Sequence, residues 1–165
     1  MIALGIDPGT AITGYGIVKD APDGRLFEID HGVIRTDPKT PYPLRLKKIH
    51  DDIAFLIEQH RPQVAAIEEL FFSKNASTAM VVGQARGVVI LTAVLAGLEL
   101  SEYTPIQVKE AVTGYGRAEK MQVQYMVKTL LGLAEIPKPD DAADALALAI
   151  CHLHSYRMKR VLDQV

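Results

Sequence analysis

Acidic residues stand at three points of the chain where regular structure should begin or end: Asp7, the doublet Glu68-Glu69, and the group Asp140, Asp141 and Asp144. Asp7 is the first polar residue after the apolar run Ile2 to Ile6, and Glu68 has the same relation to the run Val64 to Ile67. If those runs are neighbouring parallel strands, their ends bring the two carboxylates together, at the place where open sheets with helical crossovers hold ligands. Asp141 and Asp144 are three residues apart on a helix and share a face, which Ala145 and Leu148 continue toward the core. An acid on an inward face needs a partner, and the surrounding alanines would let that helix carry two more carboxylates close to the strand ends. Cys151 is the only cysteine and no spaced histidine pair accompanies the acids, so hard ions such as Mg²⁺ or Mn²⁺ suit this donor set. Two such ions about 4 Å apart suit phosphoryl transfer, one activating a water and the other stabilising the leaving 3′ oxygen. Asp7 would bridge them.

Each acid also has a plainer reading. Asp7 could merely open an Asp-Pro-Gly turn, and Glu68 could be a solvated strand end. Asp140 suits an N-cap, and Asp141 suits the positive end of the helix dipole. Asp144 is the acid these readings do not absorb, and the doublets leave open which member of each pair turns toward a site.

The elements that must position these groups follow from periodicity and punctuation. IALGID, TGYGIVK and LFEIDHGVIR, separated by Asp7-Pro8-Gly9-Thr10 and Pro22-Asp23-Gly24, predict an antiparallel meander. Apolar residues at Leu44, Leu46, Ile49, Ile53, Leu56 and Ile57 predict a crossover helix from Pro43 to His60, closed by Pro62. Val64 to Ile67 then reads as a strand buried on both faces and parallel to the first. After a loop with candidate caps Ser73, Asn75 and Ser77 come a helix over 78–98, a short strand over 100–104 and a helix opened by Pro105. Gly114-Tyr115-Gly116 breaks that helix, and helices over 118–131 and 140–156 follow. The order βββαβαβααα describes an α/β protein with a mixed five-stranded sheet flanked by helices. No repeat, low-complexity segment or linker divides residues 1–165, so one domain is expected.

Composition supports a compact fold: 165 residues, 48% hydrophobic and 23% charged. Val88 to Leu98 is the longest apolar stretch and is too short to span a bilayer, and the start carries no basic leader. A soluble protein of a reducing cytoplasm is expected. The net charge of −2 argues at first against a nucleic-acid partner. Clustered carboxylates neutralised by cations would weaken that objection. Basic residues also gather unevenly, at Arg35, Lys39, Arg45, Lys47 and Lys48, at Lys109, Arg117, Lys120 and Lys128, and at Arg157, Lys159 and Arg160. None forms a dense run, so charge alone leaves the partner open.

The stretches GIDPGTAITGYGIV, AAIEELFFSKNASTAMVVGQARGVV, PIQVKEAVTGYGRAEKMQVQYMV and DDAADALALAICHLH together resemble the RuvC family of crossover junction endonucleases, in the right order and over nearly the whole chain. The resemblance implies an RNase H-like fold, with Asp7, Glu68, Asp141 and Asp144 as metal ligands and two Mg²⁺ or Mn²⁺ ions per site. It implies that Lys109 and Lys120 contact DNA and that Lys120 supports catalysis, with Arg117 in the same basic group. The aromatic at Phe71 would wedge against bases at a junction centre, by stacking worth roughly 1–3 kcal/mol per base. Phe72 beside it is equally consistent with plugging the core. The implied activity is resolution of four-way DNA junctions in recombination and repair, leaving 5′-phosphate and 3′-hydroxyl ends, by a homodimer working with the branch-migration proteins RuvA and RuvB. Gly83 and Gly87 permit a close helix approach, either across that dimer or onto the protein's own sheet. The DPGT turn also resembles the phosphate turn of actin-like ATPases and sugar kinases. A second phosphate turn and an adenosine-binding glycine pair are missing for that alternative, and a catalytically silent junction-binding module would lack the acids.

Overall fold

The computed structural model of the chain describes residues 1–69 and 76–162, with the backbone alone at 76–78, 160 and 161. β1 (Ile2–Asp7), β2 (Ile12–Asp20) and β3 (Leu26–Arg35) form the meander, and α1 (Tyr42–His60) crosses over to β4 (Val64–Glu68). α2 (Ala76–Leu95) leads to β5 (Glu99–Tyr103), and α3 (Pro105–Thr113), α4 (Lys120–Leu131) and α5 (Asp140–Leu162) follow. The sheet order is β3-β2-β1-β4-β5, antiparallel across the meander and parallel from β1 to β4 to β5. This is the mixed five-stranded sheet expected from the pattern.

Period-two alternation gives the sheet two apolar faces. Leu4, Ile6, Ile17, Ile34 and Ile67 pack with Ile49 and Ile53 of α1 and Ala85 and Val89 of α2. Ala3, Val18, Leu26, Val64 and Ala66 point the other way, against Val108 and Val112 of α3, Val123 and Val127 of α4, and Leu146, Ile150 and Leu153 of α5. Element ends differ from expectation where a local cap overrides the apolar pattern. α2 stops at Leu95 because Gly97, at φ +75, turns the chain toward β5. β5 stops at Tyr103 because Thr104 leaves the sheet to cap α3, its hydroxyl accepting a hydrogen bond from the Gln107 backbone amide while its own backbone amide donates to Gln107 Oε1. Lys120, not Ala118, begins α4, since Glu119 serves as the cap. α5 continues past Tyr156 to Leu162.

α5 lies unusually close to the sheet because both surfaces are stripped of side-chain bulk. A Cβ on Gly5 would sit 1.9 Å from the Ala145 carbonyl oxygen, one on Gly14 would sit 2.0 Å from the Asp141 carbonyl oxygen, and one on Gly16 would sit 2.7 Å from the Leu146 nitrogen. Gly5 and Gly16 face each other across β1 and β2, as do Asp7 and Gly14, so the glycines form one slot. Ala142, Ala145 and Ala149, all buried, fill it from the helix side. Gly5→Ala is therefore expected to cost roughly 1–3 kcal/mol or more through overpacking. Urea unfolding reads this as a lowered midpoint, and an unchanged midpoint would contradict the slot.

Candidate active site

The slot delivers the first turns of α5 to the end of β1. Asp7 lies opposite Gly14 on β2, and the missing side chain of Gly14 is the space that Asp141 covers. Ile6 pairs with Ile67 in the parallel register, so Asp7 and Glu68 are the next residues on neighbouring strands, which run about 4.8 Å apart. Gly5 and Ala66, two residues back on each strand, face α5, and Asp7 and Glu68 therefore face it too. No donor among the described residues reaches the Asp7 carboxylate, so Asp7 does not tie its own turn. That turn is held instead by the Thr13 hydroxyl, which donates to the Gly9 carbonyl at 2.6 Å, and by the Thr36 hydroxyl, which donates to the Thr10 carbonyl at 2.5 Å.

Asp7, Glu68, Asp144, Lys109 and Lys120 line one cleft of about 270 Å³, floored by Val108, Val123, Ala147 and Leu148. Asp141 does not line it. It sits one turn earlier on α5, near enough for its charge to raise the Asp7 pKa. Lys120 Nζ donates to Asp144 at 3.0 Å and lies 3.3 Å from Asp140.

Crowding of like charges marks the cleft. Burial first, then the charges of Asp144, Glu68 and Asp141, push the Asp7 carboxyl up to about 7, against a partial opposing effect of Lys120. Burial also raises Glu68, together with the charge of Asp144 and against that of Lys109. Asp144 is raised by burial despite its bond to Lys120. Burial alone would lower Lys120, but its bonds and charge interactions with Asp144 and Asp140 outweigh it and the pKa rises. Among the described residues, no three His, Cys, Asp or Glu side chains stand close enough, as placed, to enclose an ion. The donor set still fits a hard divalent cation: it is all oxygen, half-buried and mutually repelling, and the Lys120 ammonium now holds Asp144 in place of one.

Strand parity distinguishes Glu68 from Glu69, and exposure distinguishes Asp140 from the half-buried Asp141. Glu69 is exposed and its amide donates to the Tyr103 carbonyl at 2.8 Å, so Glu68 alone of that pair lines the cleft. Asp140 starts α5 fully exposed, and its carboxylate is held below the usual range by Lys120 and Gln124 rather than capping the helix. Arg117 is exposed in the turn before α4 and does not line the cleft. Phe71 and Phe72, with the candidate caps Ser73, Asn75 and Ser77, fall outside the described side chains. Lys47 and Lys48 pair with Asp51 and Asp52 one helical turn away, and Arg157 is bound to the Ala21 and Gly24 carbonyls. Those basic clusters are thus partly structural. The slot glycines Gly5, Gly14 and Gly16 carry no signal in residue order alone, because their role depends on pairing across β1 and β2. Nor does the sequence mark Arg86 in QARG, whose Nη1 donates to the Glu68 carbonyl at 3.0 Å.

The family model described as crossover junction endodeoxyribonuclease RuvC matches residues 3–152. The protein of that description from Pelotomaculum thermopropionicum is 56% identical over 162 residues, covering 98% of each chain. The Thermus thermophilus RuvC structure superposes with a TM-score of 0.90 at 38% identity, covering 96% of this chain and 97% of that one. T. thermophilus RuvC in complex with a Holliday junction substrate gives 0.88 at 35% identity, covering 96% of each. The sheet and its flanking helices accordingly have the RNase H-like fold. With sequence and fold matching almost from end to end, this chain belongs to the RuvC family of crossover junction endodeoxyribonucleases.

Proposed function

We propose that this chain forms a homodimeric, metal-dependent endonuclease that resolves Holliday junctions by symmetric nicks, leaving 5′-phosphate and 3′-hydroxyl ends, in homologous recombination and DNA repair. The observation that carries this is one cleft at the ends of two adjacent parallel strands, lined by Asp7, Glu68 and Asp144 beside Lys109 and Lys120. Family membership supplies the substrate class, since a solved relative is a complex with a Holliday junction.

Asp7, Glu68, Asp141 and Asp144 are the proposed metal ligands, with Asp7 central because it interacts with each of the other three. Two Mg²⁺ or Mn²⁺ ions, when bound, would supply an activated water and positive charge against the leaving 3′ oxygen. The chain's residues set the stage for that chemistry. The carboxylates hold their negative charge in a small, apolar-floored cleft, where electrostatic interactions are stronger than in water. Lys120, held by Asp140 and Asp144 in the free protein, is the cation that can turn to a phosphate oxygen as a scissile strand enters. Lys109 stands on the Glu68 side and contacts the backbone from there; Arg117 extends the basic surface along the same strand path. Lys109→Ala is expected to weaken junction binding uniformly across sequences and to reduce the salt slope of binding by about 1. Titrations at several salt concentrations check this, and an unchanged slope counts against a phosphate contact.

A four-way junction needs two opposed cuts, and one cleft makes one cut. The partner surface proposed for the dimer is the outer face of α2, where Met80, Leu91 and Val94 are exposed and Gly87 has open space over its Cα. That outward position favours the dimer over sheet packing for Gly87. Residues 1–165 are read as one nuclease domain, because a single sheet carries helices on both faces. No helix among the described residues is long and apolar enough to cross a membrane, and the proposed site of action is cytoplasmic DNA. RuvA and RuvB as partners rest on family membership alone, and the wedge role of Phe71, with Phe72 beside it, rests on the sequence resemblance.

The test is a synthetic four-way junction labelled in turn on each strand, incubated beside linear duplex. Paired nicks at symmetry-related positions in opposed strands, resealable by ligase, are expected. Equal cutting of linear duplex would defeat the resolvase reading and leave a general nuclease.

A further inference from the structure

The β1–β4 ladder stops one step short of the cleft, for a reason written in the chain. In a strand, the N–H and C=O of one residue face one neighbour and those of the next residue face the other. The Glu69 amide donates to Tyr103 of β5, so the Glu68 carbonyl is turned toward β1. With Gly5 paired to Ala66 and Ile6 to Ile67, the donor that should serve this carbonyl is the amide of residue 8. That residue is Pro8, which has no N–H. The β1–β4 register accordingly ends at Ile6, while Glu68 still pairs with Tyr103 on the β5 side. A donor arrives from outside the sheet. Arg86 of α2, its side chain only 11% exposed, donates Nη1 to the Glu68 carbonyl at 3.0 Å and pairs through Nη2 with Glu102 of β5. A planar guanidinium reaches the two acceptors from two nitrogens in a fixed fork, a geometry that the single nitrogen of a lysine does not reproduce.

We infer that Arg86 is a positioning residue for the metal site: it replaces the donor that Pro8 lacks and fixes the peptide that presents Glu68 beside Asp7. The inference rests on Glu68 being a metal ligand, as proposed above. Arg86 touches neither ion nor DNA in this role, so its effect belongs in metal affinity and not in junction binding.

Mn²⁺ binding to the folded, DNA-free protein, measured by calorimetry or electron paramagnetic resonance, tests it. Arg86→Lys is expected to weaken Mn²⁺ binding about 10-fold, as loss of an outer partner does elsewhere. Its nicking should fall in proportion at low Mn²⁺ and recover at saturating Mn²⁺, with junction affinity in chelator unchanged. Adding Pro8→Ala restores an amide at position 8 and should recover most of the lost affinity. An Arg86→Lys protein that binds Mn²⁺ like wild type, while Glu68→Gln does not, overturns the inference. Failure of Pro8→Ala to rescue also overturns it. If Glu68→Gln itself binds and cuts normally, the ligand reading of Glu68 has failed instead. Should Arg86→Lys not fold, Glu102→Gln leaves the guanidinium in place and frees its second arm: weakened Mn²⁺ binding supports the inference, and wild-type binding overturns it.

Discussion

Asp7→Asn should abolish nicking of a four-way junction while leaving junction binding intact. The substitution keeps the shape of the side chain and removes one negative charge from the middle of the cleft. Asp7 interacts with Glu68, Asp141 and Asp144 together, so no other acid can take its place. If it bridges the ions, losing it forfeits several kcal/mol of transition-state stabilisation, a fall of roughly 10³-fold or more in rate. Binding measured in chelator should be unchanged or slightly tighter, because the phosphates meet less negative charge. Single-turnover nicking beside a gel-shift titration separates the two quantities. A variant that cuts at the wild-type rate would remove Asp7 from the site.

The second large effect is on stability, and its sign is opposite to that of most active-site losses. The Asp7 carboxyl titrates at about 7 in the folded chain, against an ordinary value of 3.8. Between those values the unfolded chain binds fewer protons than the folded one, so stability falls as pH rises through that window. Below it nothing is lost, since both states are protonated. Above about 7 the loss is complete, with an upper bound of about 4 kcal/mol before screening by water in an open cleft. Glu68 and Asp144 are raised as well and add in the same direction. Urea unfolding in chelator at pH 5 and pH 8 should therefore show wild type weaker at pH 8. Asp7→Asn should remove most of that slope and be the more stable protein at pH 8. Saturating Mn²⁺ should restore the wild type, by about 2.7 kcal/mol at 100 times its dissociation constant. Equal slopes for the two proteins would show that Asp7 is not the group under strain.

Much of this arrangement could be read from residue order because it depends on local pattern. The unbroken apolar run Val64 to Ile67 marks a strand covered on both faces, and its likeness to Ile2 to Ile6 places Asp7 and Glu68 at neighbouring ends. The three-residue spacing of Asp141 and Asp144 places both on the side of α5 that meets the sheet. What stayed hidden depends on register across strands. Gly5, Gly14 and Gly16 look like ordinary strand glycines until pairing shows them opposite Gly16, Asp7 and Gly5 and beneath α5. The choice between Glu68 and Glu69 turns on which residue's amide faces β5, and the contrast between exposed Asp140 and half-buried Asp141 turns on the close approach of α5 to Gly14. Arg86 was illegible for the same reason, since its partner is a carbonyl that a proline on another strand leaves without a donor. The net charge of −2 misleads only while the acids are counted as surface: Asp7, Glu68 and Asp144 are half-buried in one cleft.

The most direct measurement is an anomalous difference map from crystals of this protein soaked in Mn²⁺. Two peaks are expected, with Asp7 touching both and Glu68, Asp141 and Asp144 completing the ligands, and Lys120 swung away from Asp144. Peaks elsewhere on the surface, or a soaked crystal with the cleft unchanged and Lys120 still on Asp144, would contradict a metal-bearing cleft built from these acids.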